Sequence, residues 1–153
     1  MLGCGNPLVG DDGFGPAVAE QLLSMHPPKD ICVINAGTGS RTILFNLVTG
    51  EPRPGGIIIV DALDAGKPPG VLFEAPLESL SLEKAEDFNV HMTPASNMLL
   101  KLRDMGVQIK ILACQPAPLP GRIQPGLSGQ VQAAVEPAAK RALVMASDML
   151  SKR

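Results

Sequence analysis

Met1-Leu-Gly-Cys-Gly-Asn-Pro-Leu-Val-Gly-Asp-Asp-Gly-Phe-Gly-Pro16 opens the chain. A scrap of apolar strand runs into a glycine-rich loop, an acidic pair and then the start of a helix. Glycines suit a chain that must leave a strand sharply, because they carry no Cβ to crowd the turn. Asp11 and Asp12 therefore fall on a strand-to-helix loop at one edge of a sheet, and in open α/β sheets that edge binds ligands. Only Met1 and Leu2 precede Gly3, whereas a strand usually has about five or six residues. We therefore expect the natural chain to begin upstream, and an extended chain to resist heat better.

Working outward, Phe14, Val18, Leu22 and Met25 recur at helical spacing, with Pro16 confined to the first turn. His26-Pro27-Pro28 ends that helix, and Ile31 to Asn35 reads as a short β-branched strand. Ile43, Leu44, Leu47 and Val48 mark a second helix, capped by Ser40 and closed by Gly50. Ile57 to Val60 is a continuous apolar run between turn residues, the mark of a central parallel strand buried on both faces and ending at Asp61. Val71 to Ala75 suits an edge strand, and 76–90 is irregular and acidic. Thr93-Pro94 caps and starts a third helix whose buried stripe is Ala95, Met98, Leu99, Leu102 and Met105, closed by Gly106. Val107 to Cys114 is a further strand and Gln115 to Pro120 a stiff loop. A last helix, Ser128 to Leu150, buries Val131, Val135, Ala138, Ala142, Met145 and Met149. Strand and helix alternate, which predicts one α/β domain over 1–153: a three-layer sandwich whose mostly parallel, twisted sheet of about five strands is flanked by helices.

Composition narrows the function. The 153 residues are 45% hydrophobic and 18% charged, with net charge −2 and no basic run, so neither nucleic acid nor an anionic membrane is an expected partner. No apolar stretch approaches the ~20 residues of a membrane helix. Three scattered cysteines without a CxxC suit a reducing cytoplasm. With no Trp or Tyr and only four Phe, there is little from which to build a base-stacking platform.

Several chemistries can be weighed on the residues. Gly3-x-Gly5 begins a dinucleotide fingerprint, but position 8 is leucine and the second strand ends in Asn35 where a ribose-binding acid belongs. A phosphoryl-accepting receiver domain would place its acidic pair directly after the first strand and a lysine where Gln115 stands. Cys4 and Cys114 end strands, yet no basic neighbour lowers either pKa. Asp12, Asp61 and His91 remain, each at the carboxyl end of a strand or just before a helix. Two carboxylates and an imidazole suit a first-row divalent metal with open coordination positions. Each also has a plainer role: Asp12 as a helix cap, Asp61 as an acceptor for loop amides, His91 as a solvent-facing histidine. Pro16 argues against the cap, since with Asp12 as N-cap residue 16 should donate the first helical bond and proline cannot.

Gly3-Cys-Gly-Asn-Pro-Leu-Val-Gly-Asp-Asp-Gly-Phe-Gly15 resembles the opening motif of the [NiFe]-hydrogenase maturation endopeptidases. Asn35-Ala-Gly-Thr38, Ile58-Ile-Val-Asp-Ala62, and Cys114-Gln-Pro116 with Gly126-Leu-Ser128 agree in order and spacing. The resemblance implies a peptidase that removes a C-terminal extension from a [NiFe]-hydrogenase large-subunit precursor after nickel insertion. It implies metal contacts at Asp12, Asp61 and His91, with nickel supplied by the substrate and no permanently bound cofactor. Asn35 departs from the aspartate many members carry there, and the stretch around His91 is less typical. We expect a cytoplasmic monomer or weak homo-oligomer, with Asp11 a loop carboxylate that repels or orients rather than binds, a bystander or a helper such as the carboxylate that activates water. A chaperone-like module that binds the nickel-loaded precursor without cutting it is the alternative.

Overall fold

A computed structural model describes residues 1–78 and 93–151. In chain order the elements are β1 (Leu2–Cys4), α1 (Phe14–Ser24), β2 (Ile34–Gly37), α2 (Ser40–Thr49), β3 (Gly56–Ala62), β4 (Leu72–Glu74), α3 (Thr93–Asp104), β5 (Gln108–Cys114) and α4 (Gly129–Ser151). The strands form one five-stranded sheet in the order β2-β1-β3-β5-β4. Every neighbouring pair is parallel except β4 with β5. The expected α/β sandwich is therefore observed, with β3 at its centre.

Two apolar layers seal the sheet. Strand side chains alternate between faces. Ile58, Val60 and Ala62 of β3 accordingly pack with Phe14, Val18 and Leu22 of α1 and with the inner stripe of α4. Ile57 and Ile59 pack on the opposite face with Leu44 of α2 and Leu99 and Leu102 of α3. All six predicted inner residues of α4 are buried, and Pro137 within that helix lies on its exposed side. Leu102 is wholly enclosed. Leu102→Ala should cost about 2–5 kcal/mol through lost transfer energy and the cavity left behind, read as a lower urea midpoint.

Some boundaries differ from expectation. The second strand is Ile34–Gly37 rather than Ile31 to Asn35. Ile31 is held in a turn by donating its N–H to Pro28 O (2.9 Å), and β1 sets the register by pairing Leu2 with Ile34. Ser40 does not cap α2. Gly39 is the cap residue, and Ser40 is the helix's first residue, buried with its side chain hydrogen-bonded to the Cys4 thiol. Met105 leaves the α3 stripe because that helix ends at Asp104 and the next residue turns outward, while Ser96 is buried instead. The side chains of residues 93–95, and with them the Thr93 cap and Ala95, lie outside the described residues. So does most of the acidic segment 76–90. Among the described residues no helix is long and apolar enough to cross a membrane.

Candidate functional site

The carboxyl edge of the sheet gathers the loops after β1, β2, β3 and β5. The β1 loop is shaped by close approach of backbone to backbone. Gly5 has φ +123°, and a methyl group placed there would lie 1.9 Å from the Asp12 carbonyl oxygen and 3.4 Å from Asp61 Oδ1. Only glycine fits that position, in both conformation and space. Its absent side chain brings the chain at Asp12 down over the strand ends, beside the carboxylate of Asp61. Asn6 N–H donates to Asp12 Oδ2 (2.8 Å), and Asp12 N–H donates to Val9 O (3.1 Å).

Asp12 thus serves the loop and not the helix. It lies in a single 3-10 turn, Gly10–Gly13, while Gly13 is the cap residue of α1. Pro16 takes the third position of the first turn, where its missing N–H leaves no helical bond broken. This agrees with the argument from Pro16 that Asp12 makes a poor cap.

Asp61 is buried and accepts from Ala62 N–H through Oδ1 (2.8 Å). It sits inside β3, paired in register with Ala113, so the strand runs on past the apolar run to Ala62. Alternation along β3 directs it to the α2–α3 face. α3 delivers the chain into the start of β5 at the amino edge, so its first turn stands at the carboxyl edge with Asp12 and Asp61. His91 lies outside the described residues, two positions before Thr93, where α3 begins. Among the described residues no three of His, Cys, Asp or Glu form a metal-holding group.

The cysteines are poorly suited to nucleophilic work. Burial, aided by the Asp61 charge, pushes the Cys4 thiol far up. Burial and the nearby Asp11 charge raise Cys114 to about 11. Thiols held protonated at neutral pH are weak nucleophiles. No disulfide involves Cys4, Cys32 or Cys114.

Asp11 is more than a bystander in the loop. It is buried, and both oxygens take donors from the far end of the chain. Ala117 N–H reaches Oδ2 (2.8 Å), Ser128 N–H reaches Oδ1 (2.6 Å), and Ser128 Oγ–H reaches Oδ2 (2.8 Å). A carboxylate so enclosed and engaged is placed to hold loops together, not to activate water. Gln115 is a second organiser that the sequence reading treated as part of a stiff loop. Its Oε1 accepts from Ala65 N–H (2.8 Å) and Lys67 N–H (3.1 Å), and its Nε2 donates to Asp64 Oδ1 (2.9 Å) and Pro116 O (3.1 Å). The signal was there: a polar side chain at the end of a buried strand must find partners. Which partners it would find was not written in its neighbours.

Residues 16–145 match the family described as hydrogenase maturation protease. A protein of Methanocaldococcus jannaschii whose name carries the same description is 36% identical over 140 residues, covering 90% of this chain and 89% of that one. The Hydrogenase 3 maturation protease of Escherichia coli is 30% identical over 118 residues, covering 76% of this chain and 71% of its own length. The crystal structure of a [NiFe] hydrogenase maturation protease from Thermococcus kodakarensis superposes with TM-score 0.72 at 25% identity, covering 98% of this chain and 90% of that one.

Proposed function

The chain belongs to the hydrogenase maturation protease family and is a peptidase that processes a hydrogenase precursor; from this premise we propose that it cuts only precursors already loaded with nickel. Asp12, Asp61 and His91 bind the nickel held in the precursor's own active site. Removal of the C-terminal extension follows in the cytoplasm. The observation that supports this reading is that the Asp12 main chain and the Asp61 carboxylate both close on the space where Gly5 lacks a side chain.

In this reading the metal arrives as part of the substrate. Carboxylate oxygens and an imidazole nitrogen are ligands that borderline divalent ions accept. Binding energy from three separate ligands is gained only when the ion is present, which makes docking a test of insertion. Near the scissile peptide the precursor's nickel polarises the carbonyl, or a water, as a Lewis acid. Asp12 and Asp61 hold it there, and the hydrogen bonds from Asn6 and Ala62 keep both carboxylates from swinging.

Purified protein should be incubated with nickel-loaded and with nickel-free precursor, and the precursor then weighed by mass spectrometry. Loss of the extension only from the loaded sample is expected. Equal cleavage of both would refute nickel sensing. An unchanged mass with a stable complex would favour the non-cutting, chaperone-like module.

A further inference from the structure

Asp11 is a buried carboxylate with donors on both oxygens, and the reaction above gives it nothing to do. Its carboxylate sits 4% exposed under three donors drawn from residues 106 and 117 positions away. We propose that Asp11 is a positioning residue that aims Asp12 at the precursor's nickel; this rests on the reading of Asp12 as a nickel ligand.

The geometry of the turn carries the argument. Asp11 and Asp12 are consecutive in the 3-10 turn Gly10–Gly13, and with 3.0 residues per turn their side chains diverge by about 120°. Fixing one direction therefore fixes the other. Asp11 points inward to Ala117 and to Ser128, whose carbonyl accepts the first helical hydrogen bond of α4 from Gln132 (2.8 Å). Its negative charge at the start of that helix is favourably placed. The Asp12 carboxylate consequently turns toward Asn6 N–H.

The same loop is tied at a second point. Gly10 N–H donates to Gln124 O and Gln124 N–H to Leu8 O, each at 2.8 Å. Those bonds set the height of the loop above residues 115–128. Within the loop, Asn6 N–H and Val9 O hold Asp12, and the Asp11 carboxylate fixes the turn's rotation relative to residues 117 and 128. Asparagine at this position is the same size but presents an NH₂ group to one set of donors. The turn must then rotate to relieve the mismatch, and Asp12 rotates with it.

A merely structural role for Asp11 would lower stability alone. The discriminating quantity is the ratio of dissociation constants for nickel-free and nickel-loaded precursor, measured beside thermal unfolding. Asp11→Asn is expected to cut this ratio at least about tenfold, as loss of a ligand's supporting partner does at metal sites, while binding to the nickel-free precursor stays within twofold. Val131→Ala, a core truncation in α4, should lower stability and keep the ratio, which separates aim from stability. A folded Asp11→Asn with the wild-type ratio overturns the proposal. Should Asp11→Asn fail to fold, Ser128→Ala decides: it removes one donor but keeps the Ser128 N–H, and an unchanged ratio there also overturns it. Asp12→Asn checks the underlying reading separately. If wild type shows no nickel preference, or Asp12→Asn keeps it, the ligand assignment itself is wrong and the positioning role falls with it.

Discussion

An alanine at Gly15 is expected to destabilise the fold more than an ordinary core overpacking does. A methyl group on this second residue of α1 would lie 2.1 Å from Cys4 O, 2.3 Å from Val60 O and 2.6 Å from Cys4 N. These are backbone atoms of β1 and β3 and have no rotamer by which to move aside. The contact is reciprocal, since a methyl on Gly3 would lie 2.2 Å from Gly15 O. α1 would have to lift from the sheet, opening the layer that encloses Phe14 and Val18, both fully buried. Overpacking usually costs about 1–3 kcal/mol, and rigid strand backbone places this case at or above the upper end. Against a total stability of roughly 5–15 kcal/mol, a steep fall in soluble yield and in urea midpoint should follow. A midpoint close to wild type would show that the helix can shift at little cost.

Asp61→Asn is expected to do the opposite: keep the fold and lose the reaction. Asparagine preserves the volume of this buried position and an oxygen for the Ala62 N–H, so the β3–β5 register has no reason to change. What disappears is a negative charge at the strand end. Cleavage of nickel-loaded precursor, followed by mass spectrometry, should fall by about 100-fold or more, beyond the 10–100-fold typical when only a ligand's supporting partner is lost. Asp12→Asn and His91→Ala should behave alike, because each removes one of the three contacts proposed for the same ion. Retention of full cleavage by any one of them would take that residue out of the site.

What the sequence disclosed and what it hid divide along a physical line. Asp61 could be placed because an apolar run such as Ile57 to Val60 has one stable home, a buried central strand, and a carboxylate ending it must emerge at the carboxyl edge. Asp12 could be separated from Asp11 because a proline four residues on forbids the cap. Both arguments use neighbours in the chain. The roles of Asp11, Gln115 and Ser40 are not legible in the sequence because their partners are remote or lie across a helix–sheet contact. A hydrogen bond from Ser128 to Asp11 leaves no periodicity to detect. The shift of β2 from Ile31 to Ile34 has the same origin: a β-branched run fits a strand in either frame, and pairing with β1 chooses. His91 came from its position before a helix and from the family resemblance.

The distant partners of Asp11 also order events during synthesis. Its donors lie in the last quarter of the chain, so the loop that carries Asp12 lacks this tie while the ribosome is still making the middle of the protein. Contacts between residues so far apart form late, because the intervening chain must first surrender its freedom. A partly synthesised or C-terminally clipped molecule would carry Asp11 and Asp12 without the bonds that tie their turn to residues 117 and 128. The Asp11 tie would then come only with the completed fold.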